Sequence, residues 1–372
     1  MSGVAAPARD WYRAHKAALR GMVRATLAGT LSFAVVSLLD LTEGFWAVMS
    51  ALLVLQSTIG GSLQSSLDRL AGTIGGVLVG GIAGWLIPGQ DPVAVLVALT
   101  VTLIPLTYLA AINSHYRVAP VTAVITLVLP GHLDSTPLAF AFDRTLEVAI
   151  GGVIAVVVAY FVFPSHGHRL FATAAAAALR TLSEAVAKLA VSSVTRDRAA
   201  VSGIVAGVGR SLAALEDAAT ETRREIRLRL VDDPDPEPML ILIRRLRNDT
   251  VMGFRAAAAP LPNDLAPRLA PVVAAVAAEA SAFLAALADT VEHGGSPPPS
   301  GPLDAALAAY GSAVQAIRDA GLSRPLPVGE VESLFSLGFA LEQLGEDINA
   351  LAAYCATYAA APRRPAAATS GA

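Results

Sequence analysis

The chain has 372 residues, a formal net charge of −3 and 54% apolar side chains, but only 15% charged ones. An average soluble domain is about a quarter charged, and here the deficit is concentrated: residues 21–163 hold 11 charged side chains, whereas residues 164–372 hold 41. This excludes a single soluble enzyme, a disulfide scaffold (Cys355 is the only cysteine) and a disordered tail protein, and the near-neutral balance without a basic stripe excludes a nucleic-acid partner.

Residues 1–20 carry Arg9, Arg13, Lys16 and Arg20 without a short apolar run or a cleavage site, and read as a cytoplasmic lead-in rather than a cleaved signal. Apolar stretches follow at 21–39, 44–60, 70–87, 93–112, 118–130 and 145–163. Most reach the length that about 30 Å of hydrocarbon requires of a helix. The fifth is short: between Pro120 and Pro130 a helix spans only about 20 Å. The expectation is a six-span integral membrane domain over 21–163.

Arginine and lysine placement orients it. With the N-terminus inside, the inner segments hold Arg9, Arg13, Lys16, Arg20, Arg69, Arg117 and Arg169. The outer ones hold Asp40, Glu43, Asp91, Asp134 and Asp143, with Arg144 as their one base. Both termini are therefore expected in the cytoplasm of a multi-pass cell (inner) membrane protein.

An internal repeat is legible. Residues 67–87 read LDRLAGTIGGVLVGGIAGWLI and residues 142–163 read FDRTLEVAIGGVIAVVVAYFVF; each has Asp-Arg, a gap that differs by one residue, then Ile-Gly-Gly-Val. Three spans per unit would insert the second copy upside down, the inverted-repeat plan of many transporters. From Pro164 the pattern turns amphipathic, with helices expected at 167–194, 197–230, 238–259, 264–292, 302–320 and 328–360. Leu341, Leu344, Ile348, Leu351, Cys355 and Tyr358 recur at helical spacing. The fold class is all-α: two inverted three-helix repeats, then a cytoplasmic helical bundle at 164–362 and a disordered tail at 363–372.

Gly72, Gly76, Gly80 and Gly84 stack on one face of the third span, for close helix packing, a subunit contact or a bare pathway wall. Arg69 and Arg144 each follow an aspartate at the start of a membrane helix, where a cation opposes the helix dipole. They either snorkel to headgroups and neutralise their own aspartates, or present guanidinium forks to a carboxylate. Glu147, three residues past Arg144, pairs with it or carries a coupling proton. Trp46, Phe45 and Trp85 fit an interfacial aromatic belt, with stacking on an aromatic substrate as the other reading of Trp46. Arg24 reads as an interfacial anchor or an inward-facing cation. The run ETRREIRLR at 221–229 and Arg244, Arg245 and Arg247 read as solvated or mutually paired helix faces. No nucleophile–base constellation or phosphate-binding glycine loop is present, so no enzyme is expected. His166 and His168 are too few for a metal, and no cofactor is implied.

The stretch GFWAVMSALLVLQSTIGGSLQSSLDRLAGTIGGVLVGG at 44–81, with Trp46-Ala47, Gln56 and Arg69-x-x-Gly72-Thr73, and the second Asp-Arg before the sixth span resemble the fusaric acid resistance (FUSC) and aromatic acid exporter superfamily. The plant malate channels are distantly similar. The resemblance covers about residues 10–165. It implies export of organic anions, aromatic carboxylic acids included, by six spans followed by a cytosolic helical domain. It also implies a homodimer or higher homo-oligomer, since many bacterial members double the unit within one chain. By it Arg69 and Arg144 fall where anion-contacting arginines are expected, and Trp46, Gln56 and Thr73 become pathway candidates. The channel relatives leave open an organic-anion channel without proton coupling. A non-transporting scaffold that recruits a partner through its helical domain is the alternative of another class.

Overall fold

The computed structural model describes residues 5–41, 44–87, 89, 91–128, 137–163, 167–192, 198–228, 231–232, 234–257, 264–360 and 364–365. The fold is helical throughout these residues, apart from a two-residue antiparallel pairing of Val231–Asp232 with Arg364–Pro365. That pairing engages part of the expected tail; the rest of 363–372, and His166, lie outside the described residues. The chain divides into two compact units, Met1–His166 and Gly167–Ala372.

The first unit contains α1 (Ala5–Leu38), α2 (Phe45–Val54), α3 (Ile59–Leu86), α4 (Pro92–Ile112), α5 (Ala119–Val128) and α6 (Pro137–Phe161). The expected lead-in is not separate: residues 5–20 continue into the first membrane-length helix. Nor is 44–60 one helix. α2 stops after ten residues, Leu55 turns extended, and α3 starts at Ile59 rather than near residue 70. The cause is local hydrogen bonding. The Thr58 hydroxyl caps α3 by accepting the Gly61 N–H at 3.1 Å, and the Ser62 hydroxyl donates to the Thr58 carbonyl at 2.9 Å while accepting the Gln56 N–H at 2.9 Å. The Thr58 bond satisfies one free N–H group of the new helix, the Ser62 bonds tie the preceding turn to it, and together they reward a break inside an otherwise apolar run. α5, the expected short span, is also ten residues, about 15 Å of helix.

Long and short helices thus alternate as long–short–long twice. Each short helix lies between two long ones: α2 packs on α1 and α6, α5 on α4 and α3, and α3 packs on α6. Glycine makes the close approaches possible. A Cβ at Gly76 would strike the Ala119 carbonyl oxygen of α5, and Thr122 Cβ at 2.7 Å; one at Gly151 would strike the Ala47 carbonyl oxygen of α2, and Ser50 Cβ at 2.9 Å. Gly72, Gly80 and Gly84 continue the α5 contact, so the stripe of α3 is a packing face within the chain. Outward, Leu78, Ile82, Leu96, Ile104, Val153 and Val157 are exposed, a surface suited to lipid.

In the second unit, α7 (Gly167–Ser192), α8 (Arg198–Arg227), α9 (Glu237–Ala257), α10 (Ala266–His293), α11 (Gly301–Asp319) and α12 (Val328–Ala360) match the expected helices within a few residues. One core joins Leu179, Leu182, Leu215, Ile243, Leu246, Leu284 and Ile348. Polar faces are tied by ion pairs: Arg223 to Glu237, Arg224 to Glu221, Arg244 to Glu216 and Arg245 to Asp347. The arginine-rich runs are therefore largely paired rather than merely solvated. Six helices among the described residues are long and apolar enough to cross a bilayer. Four lie in the first unit, within α1, α3, α4 and α6; α7 and α10 of the second also qualify by composition.

Candidate functional site

The site forms where α2 meets α3 and α6. Ala47, Ser50, Ala51 and Val54 make the buried face of α2 at helical spacing, and Ser50 is its one polar member. The Ser50 hydroxyl accepts from Arg69 Nε–H of α3 at 3.1 Å and donates to the Val148 carbonyl of α6 at 3.1 Å. One turn earlier on α2, the ring of half-buried Trp46 carries Arg144 of α6, whose guanidinium carbon lies 3.2 Å from the ring centroid. Such a cation–π contact is worth about 2 kcal/mol or more when desolvated. Both arginines thus converge on the same short helix, one turn apart, from different helices; neither stands at a helix start as expected, since α3 begins at Ile59 and α6 at Pro137.

They do not snorkel. Arg69 is 9% exposed, Arg144 3% and Glu147 0%. Nor is Asp68 the partner of Arg69: its carboxylate lies 2.6 Å from His115 Nδ1 and accepts from Gln64 Nε2 at 2.6 Å. His115 belongs to the short turn at Ser114–Tyr116 between α4 and α5, so the polar Asn113–Arg117 loop is latched to α3 by that contact. Glu147 projects from α6 between Arg144 and Val148 in sequence, in the same buried strip. Thr73, one turn beyond Arg69, is buried with its hydroxyl lacking a hydrogen-bond partner among the described residues. Gln56 stands apart: its side chain is exposed, and its backbone binds Ser62 at the break after α2. Phe45 and Trp85 are exposed, as an interfacial belt requires.

One contributor, Ser50, was not marked by the sequence. Ser50 is one hydroxyl inside an apolar helix, and composition gives it no emphasis. Its signal is positional, because Ala47, Ser50, Ala51 and Val54 match the buried face Ala119, Thr122, Ala123 and Thr126 of α5 residue for residue. Arg24, read from the sequence as an interfacial anchor or an inward-facing cation, is buried on α1 and donates from Nη1 to the Ser57 carbonyl at 2.8 Å, just past the end of α2. A cation there complements the carbonyl end of that helix. Three buried guanidinium groups therefore follow α2 and its continuation, at Trp46, Ser50 and Ser57. Among the described residues of the first unit, Glu147 is the one buried carboxylate.

The apolar exposed helices around this buried polar strip define an integral, multi-pass membrane protein. Residues 31–158 match the fusaric acid resistance protein-like family model, so the membrane unit is similar to that family. It is 40% identical over 80 residues to a protein named uncharacterized transporter YdhK in Escherichia coli K12, a match covering 22% of this chain and 11% of that one; the O157:H7 protein of that name matches equally. It is 24% identical over 148 residues to the inner membrane protein YccS of E. coli K12, covering 40% of this chain and 20% of the relative. The matched segments thus span a minor part of these longer relatives.

Proposed function

We propose that this chain is a transporter of the cell membrane that exports organic anions, aromatic carboxylic acids among them, along α2. The observation that carries this reading is the convergence of Arg69 and Arg144, both buried, on Ser50 and Trp46 of one short helix. Cations inside a membrane protein are costly and mark ion pathways. Three buried arginines against one buried glutamate leave an excess positive charge that a carboxylate offsets, and the planar guanidinium fork binds a carboxylate in two-point fashion. Trp46 adds an aromatic face beside the cation. The relative named as a transporter is in keeping with this reading.

The two halves are inverted repeats in this reading. Ala28, Ser32 and Val36 of α1 correspond to Ala98, Thr102 and Leu106 of α4, all buried. Arg69, Gly76 and Gly80 correspond to Arg144, Gly151 and Ala155, and the short helices correspond as above. The helical unit from Gly167 on is cytoplasmic, as are both termini, by the positive-inside pattern. α7 and α10 are core helices of that unit rather than spans, since each buries one side and they share Arg180, Asp289 and Glu292 on the other. The protein works as a homodimer or higher oligomer, and Glu147 is the proton carrier if export is coupled.

Purified protein in liposomes, assayed for benzoate and malate flux with and without a proton gradient, tests this. Flux lost in Arg69→Gln and Arg144→Gln variants that retain their fold and oligomer is the expected result, and dependence on the gradient separates carrier from channel. No flux of either anion through well-folded wild-type protein would sink transport and favour a scaffold.

A further inference from the structure

The buried strip of α6 holds an asymmetry. Arg144 corresponds to Arg69, but Glu147, one turn on, corresponds to Gly72 of α3. There the space is filled by the start of α5: a Cβ at Gly72 would meet Val118 Cβ at 3.2 Å and the Ala119 nitrogen at 3.3 Å. One half of the site therefore carries a carboxylate that the packing of the other half leaves no room for. Glu147 is fully buried, three residues from Arg144, and its neighbour Val148 is joined through Ser50 to Arg69. Among the described residues of this unit no other acid competes for this role: Asp68 is held by His115 and Gln64, and Asp143 is only half-buried. Arg24 is seven residues further along the chain from Ser50, at Ser57. The local sum at the α2–α3–α6 junction is two cations and one anion.

We propose that Glu147 sets the valence of the anion that this site accepts. With its carboxylate ionised the junction has one net positive charge and is balanced by a monoanion; a dianion would leave a negative charge buried in the membrane. Removing the carboxylate makes the junction doubly positive and favours a dianion. This inference rests on the anion-pathway reading above and extends it to substrate class. A unit charge within one helical turn, about 5.4 Å, at an effective dielectric of about 20, changes a preference by about a hundredfold.

Sulfonates test it cleanly, because their charge does not vary with pH. Benzenesulfonate and benzene-1,3-disulfonate uptake would be measured in proteoliposomes of wild type, Glu147→Gln, Glu147→Asp, Arg69→Gln and Arg144→Gln. Wild type should prefer the monosulfonate, Glu147→Gln should shift the ratio toward the disulfonate by about a hundredfold, and Glu147→Asp should keep the wild-type order. If Glu147→Gln does not fold, the wild-type and Glu147→Asp ratios still decide, since preference for the disulfonate in either overturns the proposal. An unchanged ratio in folded Glu147→Gln, with flux still dependent on both arginines, overturns the valence role alone. Flux indifferent to both arginines overturns the anion pathway itself.

Discussion

Gly75 and Gly76 are adjacent on α3, yet alanine should affect them oppositely. A Cβ at Gly75 meets nothing within 4 Å, whereas one at Gly76 meets the Ala119 carbonyl oxygen, Thr122 Cβ at 2.7 Å and the Ala123 nitrogen at 3.0 Å. Non-bonded carbons sit comfortably at about 3.5–4.0 Å, so Gly76→Ala forces α3 and α5 apart by about 1 Å. Both variants gain the same helix preference of alanine over glycine, about 1 kcal/mol. Overpacking costs about 1–3 kcal/mol, and it falls on Gly76→Ala alone. Gly75→Ala should thus be as stable as wild type or more so, with Gly76→Ala about 1–3 kcal/mol below it. Gly151→Ala, which strikes the backbone of α2, should behave like Gly76→Ala. Detergent-solubilised proteins titrated with sodium dodecyl sulfate and followed by circular dichroism would give the differences. Equal midpoints for the two neighbouring variants would refute the packing of α3 on α5.

Other consequences are as direct. Ser50→Ala removes the acceptor of Arg69 Nε–H and the donor to Val148; stability should fall by about 1–3 kcal/mol, and anion flux should fall with partial rescue by Ser50→Thr. In the second unit, burial and neighbouring Asp347 push Asp249 up to about 7, against the opposing pull of Arg245. Folded protein therefore keeps a proton on Asp249 that the unfolded chain releases near its ordinary value of 3.8, so stability declines as pH rises from about 4 to about 7. Asp249→Asn should flatten that decline in melting temperature between pH 4 and 8; an unaltered slope would refute it. Cys355 is 3% exposed with its thiol pushed up to about 12 by burial. It should resist maleimide at pH 7.5 in native protein and react once the bundle is unfolded in dodecyl sulfate, as mass spectrometry would report.

The helices of the second unit were legible because their faces alternate at three and four residues and their ends are marked by Asp232–Pro238 and Gly294–Pro302. In the membrane unit the outward faces are apolar and the buried faces largely so, apart from the polar strip, and periodicity carries less information. Hence the break at Leu55–Thr58 was hidden inside a hydrophobic run: what stops α2 is the hydroxyls of Thr58 and Ser62 bonding to backbone. The likeness of the two Asp-Arg segments was visible, but the register in which they pack was not. Matching Ile-Gly-Gly-Val aligns Gly75 with Gly151, whereas packing aligns Gly76 with Gly151, through the Asp-Arg pairs. Arg69, Arg144 and Glu147 stood out by charge alone. Their acceptor, Ser50, did not, because a serine in an apolar helix usually bonds its own backbone, and only the fold brings α3 and α6 to its hydroxyl.

A double-mutant cycle on Arg69 and Arg144 would probe most directly whether the two cations serve one anion. Benzoate flux would be measured in proteoliposomes of wild type, each Gln variant and the double variant. Residues acting on one ligand are non-additive: either single substitution should remove most of the flux, with little further loss in the double variant. Independent, multiplicative losses, or wild-type flux in either single variant, would contradict a shared anion site on α2.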